Sequence, residues 1–274
     1  MDYEYRIGKY EVTNAQYAAF LNAVAAADPN DLYNGDMGSD ARAGITRLGA
    51  SGSYIYEVKA NMGDKPVNYV SWYDAVRFCN WLHNGRPTGP QDETTTEGGA
   101  YTLTGPESIG IGTDPIHGEN GRNAGARFWL PSEDEWYKAA YHQPAADGGD
   151  ADHFWLYPTA ANTEPTGATA DLFGNINNDT ANIVNFNNGA NWNGTTSGNV
   201  TTVGSGGPGS GSFYGAFDMA GNVWEWNERL NVRGNRGLRG GSWSSDADFL
   251  QSSGRSGKLP SSGTNLNGFR VAGP

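Results

Sequence analysis

The sequence predicts an α+β domain with few helices, short twisted strands and abundant ordered loop. Three observations predict it. Forty of the 274 residues are Gly, and Asn, Ser and Thr are plentiful, which supplies turns and little regular structure. Hydrophobic content is only 37%, but aromatics reach 12% with nine Trp and fourteen Tyr, and large rings bury much area per residue. Three stretches carry a helix start signal followed by apolar residues at helical spacing.

In chain order, Tyr3 to Tyr10 alternates as a strand does. Thr13 or Asn14 can cap a helix through Ala15–Val24, with Tyr17, Phe20, Leu21 and Val24 on one face. Residues 27–65 are polar and glycine-rich, with a hairpin expected around Gly44 to Val58. Ser71 caps a second helix, with Asp74 at its third residue standing in for the capping-box Glu, and Ala75, Phe78, Cys79 and Leu82 form its inward stripe. His83 to Arg127 is an insertion-like loop. Phe128 begins a short strand that leads into a helix capped by Ser132, where Glu133, Asp134 and Glu135 favour the helix dipole. Residues 141–212 are again loop, with short strands expected near Ile183–Phe186 and Val200–Val203. No repeat or linker divides the chain, so one domain over 1–274 is expected. Loops this long need specific contacts or metals to stay ordered.

A net charge of −12 argues against nucleic acid or an anionic membrane as partner, since both require a basic footprint. No apolar run is long enough to span a bilayer, so no membrane insertion is expected. The single cysteine, Cys79, excludes an intrachain disulfide and a thiolate cluster. His83, His117, His142 and His153 have no metal-ligand spacing and read as surface residues. The chain opens directly in a strand-like stretch, which suggests that a leader has been removed and favours an extracytoplasmic or cell-surface location.

The stretch Asp218-Met-Ala-Gly-Asn-Val-Trp-Glu-Trp226 concentrates the chemistry. Asp218 and Glu225 flank a turn whose Gly221 and Val223 can aim carbonyls at the same point. Carboxylates with converging carbonyls make an all-oxygen nest that suits Ca²⁺. On the alternative reading, Asp218 caps a turn, Glu225 is a solvated charge and the tryptophans are core.

Six blocks occur in order: Ile7-Gly-Lys-Tyr-Glu-Val-Thr-Asn14, Pro66 to Ala75, Leu130 to Trp136, Gly221-Asn-Val-Trp-Glu-Trp226, Leu238-Arg-Gly-Gly-Ser-Trp243 and Gly268-Phe-Arg-Val271. They resemble the signature blocks of the formylglycine-generating-enzyme (sulfatase-modifying factor) domain, across essentially the whole chain. The resemblance implies a variant of the C-type-lectin fold. It also implies a structural calcium held by Asp218 and Glu225 side chains and Gly221 and Val223 carbonyls, with a second site near Asn182 and Ile183.

The aerobic oxidase of that family uses copper held by two cysteines shortly after the Arg-Gly-Gly-Ser-Trp block. Here Ser244 to Arg255 contains no cysteine, and Ser or Asp cannot replace the thiolates that select Cu(I). No copper is therefore expected, and no catalytic residue can be named. In the family, Cys79's position pairs with a cysteine after Gly-Phe-Arg. Here that position is Val271, which leaves Cys79 as a small buried hydrophobe. An oxidase of this type, or another metal-dependent oxidase acting on protein or small-molecule substrates, is the alternative reading.

The terminal segment 243–270 sets anchors among small polar residues and a few large ones, a texture suited to adaptable binding. It is similar to the variable proteins of diversity-generating retroelements, in which such a segment is hypervariable and binds ligand; the resemblance implies a bacterial source. The residues expected to contact ligand are Ser244, Ser245, Asp246, Asp248, Phe249, Gln251, Ser253, Ser256, Lys258, Leu259, Thr264, Asn265 and Asn267. Trp243, Leu250 and Phe269 are expected beneath them. A monomer binding a protein or other surface ligand follows as the overall expectation.

Overall fold

The computed structural model describes residues 3–178 and 180–274, without the side chain of Glu119. The chain starts with β1 (Arg6–Ile7), α1 (Asn14–Val24) and a single-turn α2 (Asp36–Ser39). A hairpin of β2 (Ile45–Leu48) and β3 (Ile55–Val58) then precedes α3 (Trp72–His83). After β4 (Leu103–Gly105) and β5 (Ser108–Ile109) comes α4 (Glu133–Tyr141), then β6 (Thr166–Gly167) and β7 (Ile183–Val184). The last part holds β8 (Trp224–Leu230), β9 (Arg236–Arg239), β10 (Ser256–Lys258), β11 (Asn267–Gly268) and β12 (Ala272–Gly273).

All three long helices start where expected, each with a reciprocal capping box: Thr13 with Gln16, Ser71 with Asp74, and Ser132 with Glu135. The predicted inward faces of α1 and α3 are buried, and Tyr17, Phe20, Phe78, Trp81 and Phe269 interlock at ring separations of 5.3–6.5 Å. Cys79 is fully buried among them, and burial pushes its thiol well up.

The central sheet runs in the order β10-β9-β8-β11, antiparallel except for the parallel β11–β8 pair. Its core strand β8 is the tryptophan block, and Trp224 through Glu228 are buried on both faces. The polar members survive burial because each has a partner. Arg122 pairs with Glu135 at 2.9 Å and Glu228 at 2.7 Å, and Arg239 pairs with Glu133 at 2.6 Å. Glu133 and Glu135 thus do more than complement a dipole: they fasten α4 to the rest of the molecule.

Three strand expectations are corrected. Tyr3–Tyr10 pairs as a strand only over Arg6–Ile7, because β12 offers only two residues; beyond it Gly8 and Val12 bond singly to Val271 and Phe269. The stretch at Phe128 makes one bridge, Trp129 with Ala272. Val200–Val203 forms no ladder: the indole of Trp192 takes the Val200 carbonyl, and Asn222 bonds Thr201. The 83–127 loop carries the unpredicted β4–β5 pair and is fastened to α3 by Arg77–Glu97 and by Asn80. Among the described residues, no helix is long and apolar enough to cross a membrane.

Candidate functional site

The 218–226 turn is built by backbone that tolerates positive φ. Asp218, Gly221 and Asn222 take φ of 55°, 70° and 56°. The Gly221 N–H donates to Gly240, and the Asn222 N–H donates to Asn185, so the turn is held from two sides. The Asp218 carboxylate accepts from the Gly204 amide at 2.5 Å. Burial lifts its carboxyl to about 6, opposed by that amide and by Arg270.

Glu225, expected as a direct metal ligand, has both oxygens engaged. Arg270 grips it bidentately at 2.6 and 2.5 Å, and the Trp136 indole donates to it at 2.6 Å. Arg270 also donates to the carbonyls of Gly8 and Phe217, tying the first strand region to this turn.

Glu11 is the residue that sequence reasoning missed. It is 2% exposed, and neither carboxylate oxygen has a hydrogen-bond partner. Burial, then repulsion from Asp218 and Glu225, raises its pKa well above the carboxylate range, while Arg270 opposes. A signal existed: Glu11 lies in the first of the six blocks, between tyrosine and valine in a stretch read only as a strand. Three carboxyl groups therefore interact in a region of low dielectric, and the one guanidinium, Arg270, is bonded to Glu225, so burial favours the neutral acids of Glu11 and Asp218. The Gly221 and Val223 carbonyls accept no hydrogen bond outside the sheet ladders among the described residues. That donor set is all oxygen, and with Glu11 and Asp218 ionised it would match one divalent hard cation in charge. Among the described residues, no three His, Cys, Asp or Glu side chains stand ready as a metal cluster, so any site here leans on carbonyls.

At the expected second site, Asn182 sits at φ 56°, and its side-chain oxygen accepts from Thr159 at 2.6 Å. Ile183 is buried in β7, its N–H bonded to Ser210.

The terminal segment leaves β9 beside this turn, where the Trp243 N–H donates to the Asn222 carbonyl at 2.9 Å. Trp243, Leu250 and Phe269 are buried as expected. The Trp243 indole donates to the Asn265 carbonyl at 3.2 Å, and Arg42 covers the ring at 4.7 Å. Asn265 reaches Asp40 at 3.0 Å, where Tyr69 also donates at 2.6 Å. Phe249, 44% exposed, stands edge-on to Trp224 at 5.6 Å. Trp224 bonds through its backbone to Leu266, beside Thr264, whose hydroxyl receives Lys258 at 3.4 Å. Phe249 is thus set against Trp224 and Asn265 against Trp243, with Lys258 and Thr264 bonded to each other. Asp248 and Gln251 bond each other on a flank beside Tyr157. Asp246, Ser253 and Leu259 are exposed, and Ser244 and Ser256 are half-buried.

Two expected surface residues lie below that surface. The Ser245 hydroxyl closes a turn by accepting the Ser242 N–H at 2.9 Å. Asn267 is fully buried in β11, its amide turned to the Ser262 carbonyl. Both were misplaced because a one-residue change of direction along an irregular segment cannot be read from its spacing. Asp40, Arg42 and Tyr69 join the surface from distant parts of the chain, and the buried Trp224 supports Phe249 from below, which no local signal announces.

Residues 3–273 match the sulfatase-modifying factor enzyme 1-like domain. The chain belongs to that family. The bovine (Bos taurus) formylglycine-generating enzyme is 26% identical over 110 residues, which span 33% of this chain and 29% of the bovine protein. Less than a third of that relative's length is therefore matched. Among solved structures, CarF superposes with a TM-score of 0.57 at 22% identity, covering 98% of this chain and 86% of its own. Treponema denticola variable protein 1 gives a TM-score of 0.51, also at 22% identity, with 98% and 84% covered. At these identities the likeness is one of fold. The sulfatase-modifying factor fold is kept here while the segment after Trp243 carries no cysteine.

Proposed function

We propose that this domain is a ligand-binding module on a calcium-stabilised scaffold, with the segment 243–270 as its binding surface. The observation that carries the reading is the arrangement at that segment: Trp243, Leu250 and Phe269 are buried as anchors, while Phe249 stands exposed against Trp224, Lys258 reaches Thr264, and Asn265 lies at the Trp243 indole. Anchors that fix the backbone and side chains that can change without touching the core are what an adaptable surface requires. The fold shared with a Treponema variable protein supports the further step to a hypervariable retroelement protein of C-type-lectin-like architecture. The ligand is a protein or other surface-displayed molecule, met by a monomer outside the cytoplasm, where calcium is available.

Calcium would be held by Glu11, Asp218 and the carbonyls of Gly221 and Val223, with Glu225 and Arg270 completing the charge balance beside them. Bound there, the ion supplies positive charge that pins the first strand region against the turn to which Trp243, at the start of the binding segment, is bonded. Removing it with a chelator is expected to lower Tm by several degrees, and re-adding calcium but not magnesium should restore it, because a ligand bound only by the native state stabilises that state. An unchanged melting curve would count against the site.

The diversification step has its own test. Sequencing the coding region across isolates is expected to show substitutions concentrated at Ser244, Asp246, Asp248, Phe249, Gln251, Lys258 and Asn265. Trp243, Ser245, Leu250, Asn267 and Phe269 should stay fixed. Even variation across buried and exposed positions would rule the reading out.

A further inference from the structure

Away from the terminal surface, two cavities of about 380 Å³ each share Gly8, Phe128 and Val271 as a common wall and so run end to end. Phe78, Trp81 and Leu82 of α3 floor the first; the second passes Ile7 and Ala272 toward Pro274. Together they form one elongated apolar groove within the size range of small-molecule sites.

Four cations stand on this groove: Lys9 and Arg86 on the first lobe, Arg6 and Arg127 on the second. All four are exposed, and none enters an ion pair among the described residues. Lys9 lies over the Tyr10 and Phe217 rings at 5.4 Å, while Arg6 and Arg127 donate to the backbone carbonyls of Pro274 and His83. On a chain of net charge −12, this is a local reversal of sign, and a low-dielectric cleft rimmed by cations concentrates anions. Arg86 closes the C-terminal turn of α3 at φ 62°, its N–H bonded to the Trp81 carbonyl at 2.8 Å, which fixes its backbone at the first lobe. The acid in the wall, Glu11, interacts with Asp218, Glu225 and Arg270.

We propose that this groove binds a fatty carboxylate, with the carboxylate at Arg86 and the unbranched tail lying along Phe128 and Val271. The apolar floor accounts for the tail, and the unpaired guanidinium groups account for the head. The groove shares Glu11 with the proposed calcium site but no residue with the terminal surface, so ligand binding at that surface and at the groove stand or fall separately.

The test is calorimetric titration of the protein with octanoate and decanoate below their micelle concentrations. One-to-one saturable binding is expected, with decanoate tighter by about sixteenfold, since each of its two extra buried methylenes contributes roughly a fourfold factor. Decanol and decyltrimethylammonium should bind at least about tenfold more weakly than decanoate, the charge supplying that difference. The R86Q/R127Q double variant should lose decanoate affinity by a similar factor while keeping its weak decanol affinity and its Tm. Equal binding of the ammonium analogue, unchanged decanoate binding by the double variant, or binding that does not saturate would each overturn the proposal. Capture of an acidic peptide without decanoate binding would overturn it too.

Discussion

Replacing Arg270 by methionine is expected to destabilise the fold by roughly 3–5 kcal/mol, the cost of removing one partner from a fully buried ion pair. Arg270 is completely buried, and its guanidinium supplies both bonds to Glu225 together with those to the Gly8 and Phe217 carbonyls. Methionine would leave Glu11, Asp218 and Glu225 together without their cation, and two backbone carbonyls without a donor. The double variant R270M/E225L should regain part of the loss, because it removes one of the stranded charges along with its partner. Urea unfolding monitored by near-ultraviolet circular dichroism would measure both. A single variant within about 1 kcal/mol of the parent would show that this pair does not hold the turn to the first strand region.

The second large effect is expected at Gly221. A Cβ built there would fall inside contact distance of the Asn185 carbonyl and against the Val184 side chain, at φ 70°. Left-handed strain and overpacking each cost about 1–3 kcal/mol, so Gly221→Ala should lose roughly 4 kcal/mol. Gly85, just past the C-terminus of α3, gives the control. Its φ is 87°, but nothing lies within 4 Å of an added Cβ, so Gly85→Ala should lose only the backbone part, about 1 kcal/mol. Equal losses at the two positions would mean that the close approach of Asn185 to the turn is not the constraint. The comparison matters for function, because this turn carries the oxygen cluster and bonds Trp243 at the start of the binding segment.

Much of this molecule was legible in its sequence where the determinants are local. The three helices announce themselves through Ser or Thr followed three residues later by Gln, Asp or Glu, and capping is settled within one turn of chain. The hairpin of β2 and β3, the burial of Cys79 and the anchor row Trp243, Leu250 and Phe269 follow from side-chain chemistry at fixed positions. Strand extent at Tyr3–Tyr10, Phe128 and Val200–Val203 was not legible, because a strand ends where its partner ends, and the partners lie far away in sequence.

The candidate site divides the same way. By itself the sequence determined which residue types are available: six ordered blocks, the Asp218–Glu225 turn, and a terminal segment of anchors and small polar residues without cysteine. Only the tertiary structure decided how they are used. It brought Arg270 onto Glu225 and left Glu11 as the buried carboxylate without a partner. It turned Ser245 and Asn267 inward, and it added Asp40, Arg42 and Tyr69 to the surface. The physical reason is that charge pairing and burial are set by distances in space. In a loop-rich chain, residues more than two hundred positions apart, such as Glu11 and Asp218, meet without any local pattern recording it.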